Sequence, residues 1–294
     1  MSLSALPELL ARSRRAGYAV GYFESWDLAS LHAVLDAAEA LESPVIVGFN
    51  GEFLTRPERC AAERIAIYGA AGRAACESAS VPCSFIFNEC PVLESVYGAI
   101  HHGFNVVMHV DHNADRLSLT TTVRTLADAA HDAGVAVEAE LDELPEHHPD
   151  AAAAMTDVAS AVKFVNETGV DALAISVGNV HVMTSGHTAL DVGRVQALAE
   201  QVAAPLVLHG GSGIEEASLR DAIAAGVTKV NYGTALKQAY LRGLNGTLEA
   251  SRDERNPHAL LGMGGESDVE MAGRLAMRDE VLRLIEVLGS AGER

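Results

Sequence analysis

Apolar, β-rich runs of four to six residues recur along the whole chain, separated by longer stretches whose apolar residues fall at helical spacing. The runs are Tyr18 to Phe23, Pro44 to Phe49, Cys83 to Asn88, Asn105 to Val110, Ala136 to Leu141, Ala172 to Val177, Pro205 to His209 and Lys229 to Tyr232. Leu28 to Leu41 and Ser218 to Ala225 show the helical periodicity most clearly. Gly103, Gly134, Gly169 and Gly226 each stand just before a run, where a helix closes in the left-handed conformation. Eight strands, each followed by helical sequence and with no Pro/Ser-rich linker, predict an α/β fold: one (β/α)8 TIM barrel domain over residues 1–294. An open doubly wound sheet is the alternative. It would be favoured by a G-x-G-x-x-G after the first run, and none is there.

A barrel places its chemistry at the C-terminal ends of its strands. Those ends carry Asn88-Glu89-Cys90, Asp111-His112-Asn113, Glu140, Asn179-Val180-His181, His209-Gly210-Gly211-Ser212 and Asn231. Metal-capable and polar groups therefore crowd one rim. His181 and His209 end the sixth and seventh strands, so their imidazoles adjoin. Two neutral imidazoles and a carboxylate form a common open metal site, and Glu89 and Glu140 are the available carboxylates. Gly210-Gly211-Ser212-Gly213 leads into an acidic helix start, and such a turn exposes backbone N–H groups that bind phosphate oxygens. The bland reading is a tight turn with a serine cap. Asn231 and Thr234, after the eighth strand, favour phosphate or sugar hydroxyl binding, since barrel phosphate sites use the loops after strands seven and eight. The pairs His101-His102 and His147-His148 read as surface residues. Trp26 is equally suited to cover a substrate or to pack on a helix.

Composition narrows the partners. A formal charge of −19 argues against nucleic acid and anionic membranes, while leaving room for a phosphorylated ligand in a locally positive site. No apolar run approaches the ~18 residues of a membrane span. The four cysteines lack CxxC spacing and read as reduced thiols of a cytoplasmic protein.

Longer motifs carry a family resemblance. Ala16 to Gly21, Ser43 to Ile46, Val137 to Leu141, Thr168 to His181, Pro205 to Ile214, Gly226 to Asn231 and Leu288 to Ser290 resemble the class II, metal-dependent fructose- and tagatose-bisphosphate aldolases nearly end to end. The resemblance implies a homo-oligomeric barrel, dimer or tetramer. In it a divalent metal, typically Zn2+, polarises the ketose carbonyl and stabilises an enediolate. By the same resemblance His181 and His209 are metal ligands, Gly210, Gly211 and Ser212 bind phosphate with Asn231 and Thr234, and Glu140 is an auxiliary carboxylate.

The first half of the rim departs from the pattern. Where the family carries Leu-His-Leu-Asp-His, this chain has Phe85-Ile86-Phe87-Asn88-Glu89. Asn88 replaces the acid/base Asp and cannot exchange a proton as a carboxyl group does. Glu89 replaces the first metal His, giving a harder donor set that admits Mn2+, Fe2+ or Co2+ beside Zn2+. Met108 to His112 lacks one family carboxylate and offers Asp111 and His112 one step later. Val182 stands where a Gly follows the second metal His. Asp142 to Pro149 replaces a Gly-Gly-x-Glu-Asp loop, with Glu143 or Glu146 as substitutes.

The expectation is a metal-dependent carbon–carbon lyase for a phosphorylated or otherwise anionic ketose. Glu89, His181 and His209 hold the metal, Asn88 orients a hydroxyl, and Asp111, His112 or Glu140 exchanges the proton. Cleavage of fructose bisphosphate is then slowed by ~10²–10⁴-fold, the usual worth of a general base. The alternatives are a metal-dependent isomerase or epimerase of a sugar phosphate, and a sugar-phosphate-binding barrel without catalysis.

Overall fold

A computed structural model of the chain describes residues 2–142, 144, 155–180 and 186–294. Eight parallel strands close into a barrel in sequence order. They are β1 (Val20–Ser25), β2 (Val45–Asn50), β3 (Cys83–Cys90), β4 (Val106–His109), β5 (Ala136–Glu140), β6 (Ala172–Ala174), β7 (Leu206–Leu208) and β8 (Val227–Tyr232). All eight overlap the apolar runs read from the sequence. Strands β6 and β7, ending at Ala174 and Leu208, are shorter than their runs, although Ile175 N–H still donates to Val207 O.

Helix α1 (Leu6–Ala16) precedes the barrel. Then α2 (Leu28–Ala40) follows β1, α3 (Gly51–Thr55) and α4 (Ile65–Ser78) follow β2, and α5 (Leu93–His101) follows β3. Next come α6 (Arg116–Asp132), α7 (Val158–Thr168), α8 (Val192–Gln201) and α9 (Glu216–Ala224). The chain closes with α10 (Thr234–Ala250), α11 (Pro257–Leu260) and α12 (Val269–Leu288), the last packed on α10 and α2. Several helices start on an Asp that accepts from a backbone N–H of the first turn: Asp27 for α2, Asp115 for α6, Asp157 for α7 and Asp191 for α8. Each such cap is worth about 1 kcal/mol and fixes where a strand-to-helix loop ends.

Alternation along the strands sorts two cores. Phe23, Val47, Phe85, Phe87 and Val107 point outward under the helices. Val20, Tyr22, Ile46, Ile86, Val106, Met108, Ala172 and Val207 point inward and fill the barrel, and Leu6, Leu9 and Leu10 of α1 join them at its base. Each large side chain so buried contributes about 1.5–3 kcal/mol. The interior is thus packed and not a channel. The four cysteines are free, and among the described residues no helix is long and apolar enough to cross a membrane.

Candidate active site

Above the apolar fill, the inward positions turn polar: Glu24 on β1, Asn50 on β2, Asn88 on β3, Glu138 on β5, Lys229 and Asn231 on β8. With His209 at the end of β7, Glu24, Asn50, Asn88 and Asn231 line a cavity of about 280 Å³ over β7, β8, β1, β2 and β3, enough for a small sugar-sized molecule. Glu89 joins them by breaking the alternation. Phe87 pairs with Val107 and Cys90 with His109, so two residues of β3, Asn88 and Glu89, face one residue of β4. In this bulge Glu89 adopts φ 49°, a left-handed conformation costing about 1–2 kcal/mol for a residue with a side chain. The bulge turns Asn88 and Glu89, neighbours in sequence, into the same cavity.

One hydrogen-bonded chain runs through the site. Lys229 Nζ lies 2.9 and 2.7 Å from the two oxygens of Glu138, both residues being fully buried. Glu138 Oε1 is 3.0 Å from His209 Nε2, and His209 Nδ1 is 2.6 Å from Glu89 Oε1. Asn50 Nδ2 donates to Glu89 Oε2 at 2.7 Å. Burial alone would depress the His209 imidazolium, but the flanking Glu89 and Glu138 override it and lift its pKa to about 9. Burial would likewise raise Glu138, and Lys229 and His209 outweigh it, so the carboxyl stays ionised below its usual range. Lys229 is held below the usual lysine value by burial, which its pairing with Glu138 only partly offsets.

This arrangement suits a divalent ion. Glu138 engages Nε2 of His209, so Nδ1 is the nitrogen presented to Glu89, an orientation typical of an imidazole ligand with a carboxylate behind it. A carboxylate oxygen and an imidazole nitrogen at hydrogen-bond distance are two donors gathered at one point, with a proton between them that a metal displaces. Among the described residues no group of three His, Cys, Asp or Glu is arranged as a metal cluster. His181, the third expected ligand, lies outside the described residues, as do Val182, Glu143, Glu146 and the His147-His148 pair.

Four buried lining residues carry side-chain atoms that have no partner: Tyr22 Oη, Asn88 Oδ1, Tyr232 Oη, and both Oδ1 and Nδ2 of Asn231. Leaving such groups unsatisfied costs about 1–3 kcal/mol each, so a polar ligand that meets them is strongly favoured. The Gly-rich turn stands beside them. Gly210 and Ser212 line the cavity, while Gly211 lies behind, against β8. A Cβ on Gly211 would fall 2.7 Å from Val230 Cγ1 and 2.9 Å from Asn231 O, so only glycine permits that approach. Ser212 Oγ accepts from Ala235 N at 3.1 Å, tying the turn to the start of α10 and not to α9, the helix that follows it in sequence.

Of the expected site residues, the structure thus gathers Asn88, Glu89, His209, Gly210, Ser212, Asn231 and Thr234 around one cavity. Asp111, His112 and Glu140 are not among its lining residues. Asp111 and His112 are exposed beyond β4, where Asp111 accepts from Asn113 N, and His112 Nδ1 is 3.7 Å from Glu140 Oε1 on β5. Trp26 packs edge-on against Tyr240, ring centroids 5.2 Å apart, and His101 and His102 are surface residues. Glu24, Asn50, Glu138, Lys229 and Lys237 were not anticipated. The signal for the first four was the strand alternation itself, which puts charged or amide side chains at inward positions, where burial is tolerated only with a partner or a purpose.

The profile of the family described as "Fructose-bisphosphate aldolase class-II" matches residues 4–293. The chain is 30% identical over its full length, and the full length of the relative, to a probable fructose-bisphosphate aldolase of Bacillus subtilis. It is 29% identical to the fructose-bisphosphate aldolase of Thermus caldophilus, with 97% of each chain covered. The crystal structure of the YdjI aldolase from Escherichia coli K12 superposes with a TM-score of 0.80 at 27% identity, covering 99% of both chains.

Proposed function

The chain belongs to the class II fructose-bisphosphate aldolase family, and on that premise we propose that it is a metal-dependent aldehyde-lyase. It would cleave or form a carbon–carbon bond in a phosphorylated ketose. The observation that carries the reading is the Glu89–His209 contact, two ligand atoms 2.6 Å apart in a cavity lined by unpartnered amides. Glu89, His209 and His181 would hold the ion, with Zn2+ the leading candidate and Mn2+, Fe2+ or Co2+ suited to the carboxylate. When bound, the ion acts as a Lewis acid toward a carbonyl oxygen.

The protein's own groups do the remaining work. Lys229 and Glu138 fix the His209 ring, and Asn50 fixes the Glu89 carboxylate. Asn88 and Tyr22 meet substrate hydroxyls. Gly210, Gly211 and Ser212, with Asn231 and Thr234, hold the phosphate. Asn88 has no acidic proton, so proton exchange falls to the rim. Glu140 stands two residues beyond Glu138 on the same face of β5, 3.7 Å from His112, and Asp111, His112 or Glu140 is the proposed acid/base. The active unit would be the whole 1–294 barrel, as a homo-oligomer (dimer or tetramer) in the cytoplasm, where free thiols persist.

Incubation with ketose mono- and bisphosphates, followed by product analysis, tests the reading. Two shorter carbonyl fragments, absent with His209→Ala, are expected. A single isomeric ketose would instead make the protein an isomerase or epimerase, and binding without turnover would make it a receptor.

A further inference from the structure

The cavity contains a charged pair that the metal site and the Gly-rich turn leave unexplained. Glu24 on β1 and Lys237 in the second turn of α10 both line it, with Lys237 Nζ 2.5 Å from Glu24 Oε1. The ammonium also lies 4.1 Å from the Phe53 ring centroid and 5.9 Å from that of Trp26, so two aromatic faces hold it in place. Glu24 is nine-tenths buried, and burial raises its pKa in spite of Lys237. Its carboxylate rests on Gly233, the residue before α10, where a Cβ would fall 2.3 Å from Oε2. A protein carboxylate thus occupies the positive end of a 17-residue helix, beside Gly210 and Ser212. Asn231, buried and unpartnered at both amide atoms, borders the same space.

We infer that Lys237 is the anion receptor of this cavity, held ready by Glu24, and that the phosphate of a substrate competes with Glu24 for it. The inference rests on the proposed phosphorylated substrate. Among the described lining residues Lys237 is the one ammonium or guanidinium, and its side chain keeps about a third of its surface exposed toward incoming solutes. Phe53 and Trp26 keep the ammonium over the cavity while it changes partners. Glu24, by contrast, lowers affinity for any dianion, because the two charges must share one helix terminus and one lysine. The pair therefore sets a threshold. A ligand must bring phosphate-like charge, together with groups that satisfy Asn231, before it displaces the internal carboxylate.

The test is calorimetric titration of the purified full-length chain with inorganic phosphate, comparing wild type with Lys237→Met, Lys237→Arg and Glu24→Gln. A charged hydrogen bond of ordinary strength predicts that Lys237→Met weakens binding by about 10- to 100-fold. Lys237→Arg stays within about 3-fold, since the charge is kept. Glu24→Gln tightens binding by about 3-fold or more, the competitor being gone. Equal affinity in wild type and Lys237→Met overturns the inference, as does weaker binding in Glu24→Gln or no phosphate binding by either. Melting curves matched to wild type show that each variant is folded. Cleavage assays separate the two ideas. A ketose phosphate cleaved despite a failed phosphate test leaves the lyase standing and removes only Lys237, whereas the expected phosphate pattern without cleavage does the reverse.

Discussion

Replacing Lys229 by Met removes one partner of a fully buried ion pair and leaves the Glu138 carboxylate with His209 alone. In the intact site four buried or nearly buried cations and anions alternate: Lys229, Glu138, His209 and then Glu89. Losing Lys229 leaves one uncompensated negative charge in a region of low dielectric. Breaking a buried pair from one side costs about 3–5 kcal/mol. With an unfolding entropy of ~2.1 cal/mol/K per residue, 294 residues give ~0.6 kcal/mol/K, so the melting temperature should fall by about 5–8 °C. Far-UV circular dichroism on heating reads this directly. The double variant Lys229→Met/Glu138→Leu removes both charges and fills the space with apolar atoms, so it should recover much of the loss. If the single variant melts within about 1 °C of wild type, inside the range of ordinary surface substitutions, the reasoning that this pair is an obligate unit is wrong.

Asn50→Ala frees Glu89 Oε2 from its donor, so divalent-metal affinity should drop by about 10- to 100-fold in a competitive chelator titration. Gly211→Ala drives a methyl into Val230 and the Asn231 carbonyl, so it should cost about 1–3 kcal/mol in urea unfolding and weaken phosphate binding. Asp268 caps α12 by accepting from the N–H groups of Gly262, Gly264, Glu270 and Met271, and its carboxyl sits below the usual range, chiefly through Gly264 N–H. A depressed carboxyl stabilises the fold above its unfolded pKa of ~3.9 and loses that contribution as pH falls through the folded value. The stability gap between wild type and Asp268→Asn, followed by urea melts, should therefore narrow as the pH is lowered below about 4.

The sequence made the barrel legible because its strands are uninterrupted apolar runs at regular intervals, the one pattern a parallel sheet covered on both faces requires. The second half of the rim was legible too, since His209 and Gly210 follow directly on β7 and Asn231 is the penultimate residue of β8. Glu89 was found as a possible ligand, but its direction was not. That depends on a bulge against β4 and a left-handed backbone at a non-glycine residue, neither of which leaves a local signature. Lys229 and Glu138 read as ordinary charges within motifs. Their partnership spans 91 residues and exists only because β5 and β8 face each other across the barrel. Lys237 was hidden for a different reason: nothing in the sequence of α10 says which turn overhangs the cavity.

Glu89 and His209 are proposed to be metal ligands in a lyase site. Elemental analysis of the purified wild type beside Glu89→Ala tests this assignment most directly. About one divalent ion per chain is expected in the wild type, as an open catalytic site binds, and its loss in the variant. A wild type that takes up no Zn2+, Mn2+ or Co2+ when these are supplied, or a variant that keeps a full complement, would contradict it.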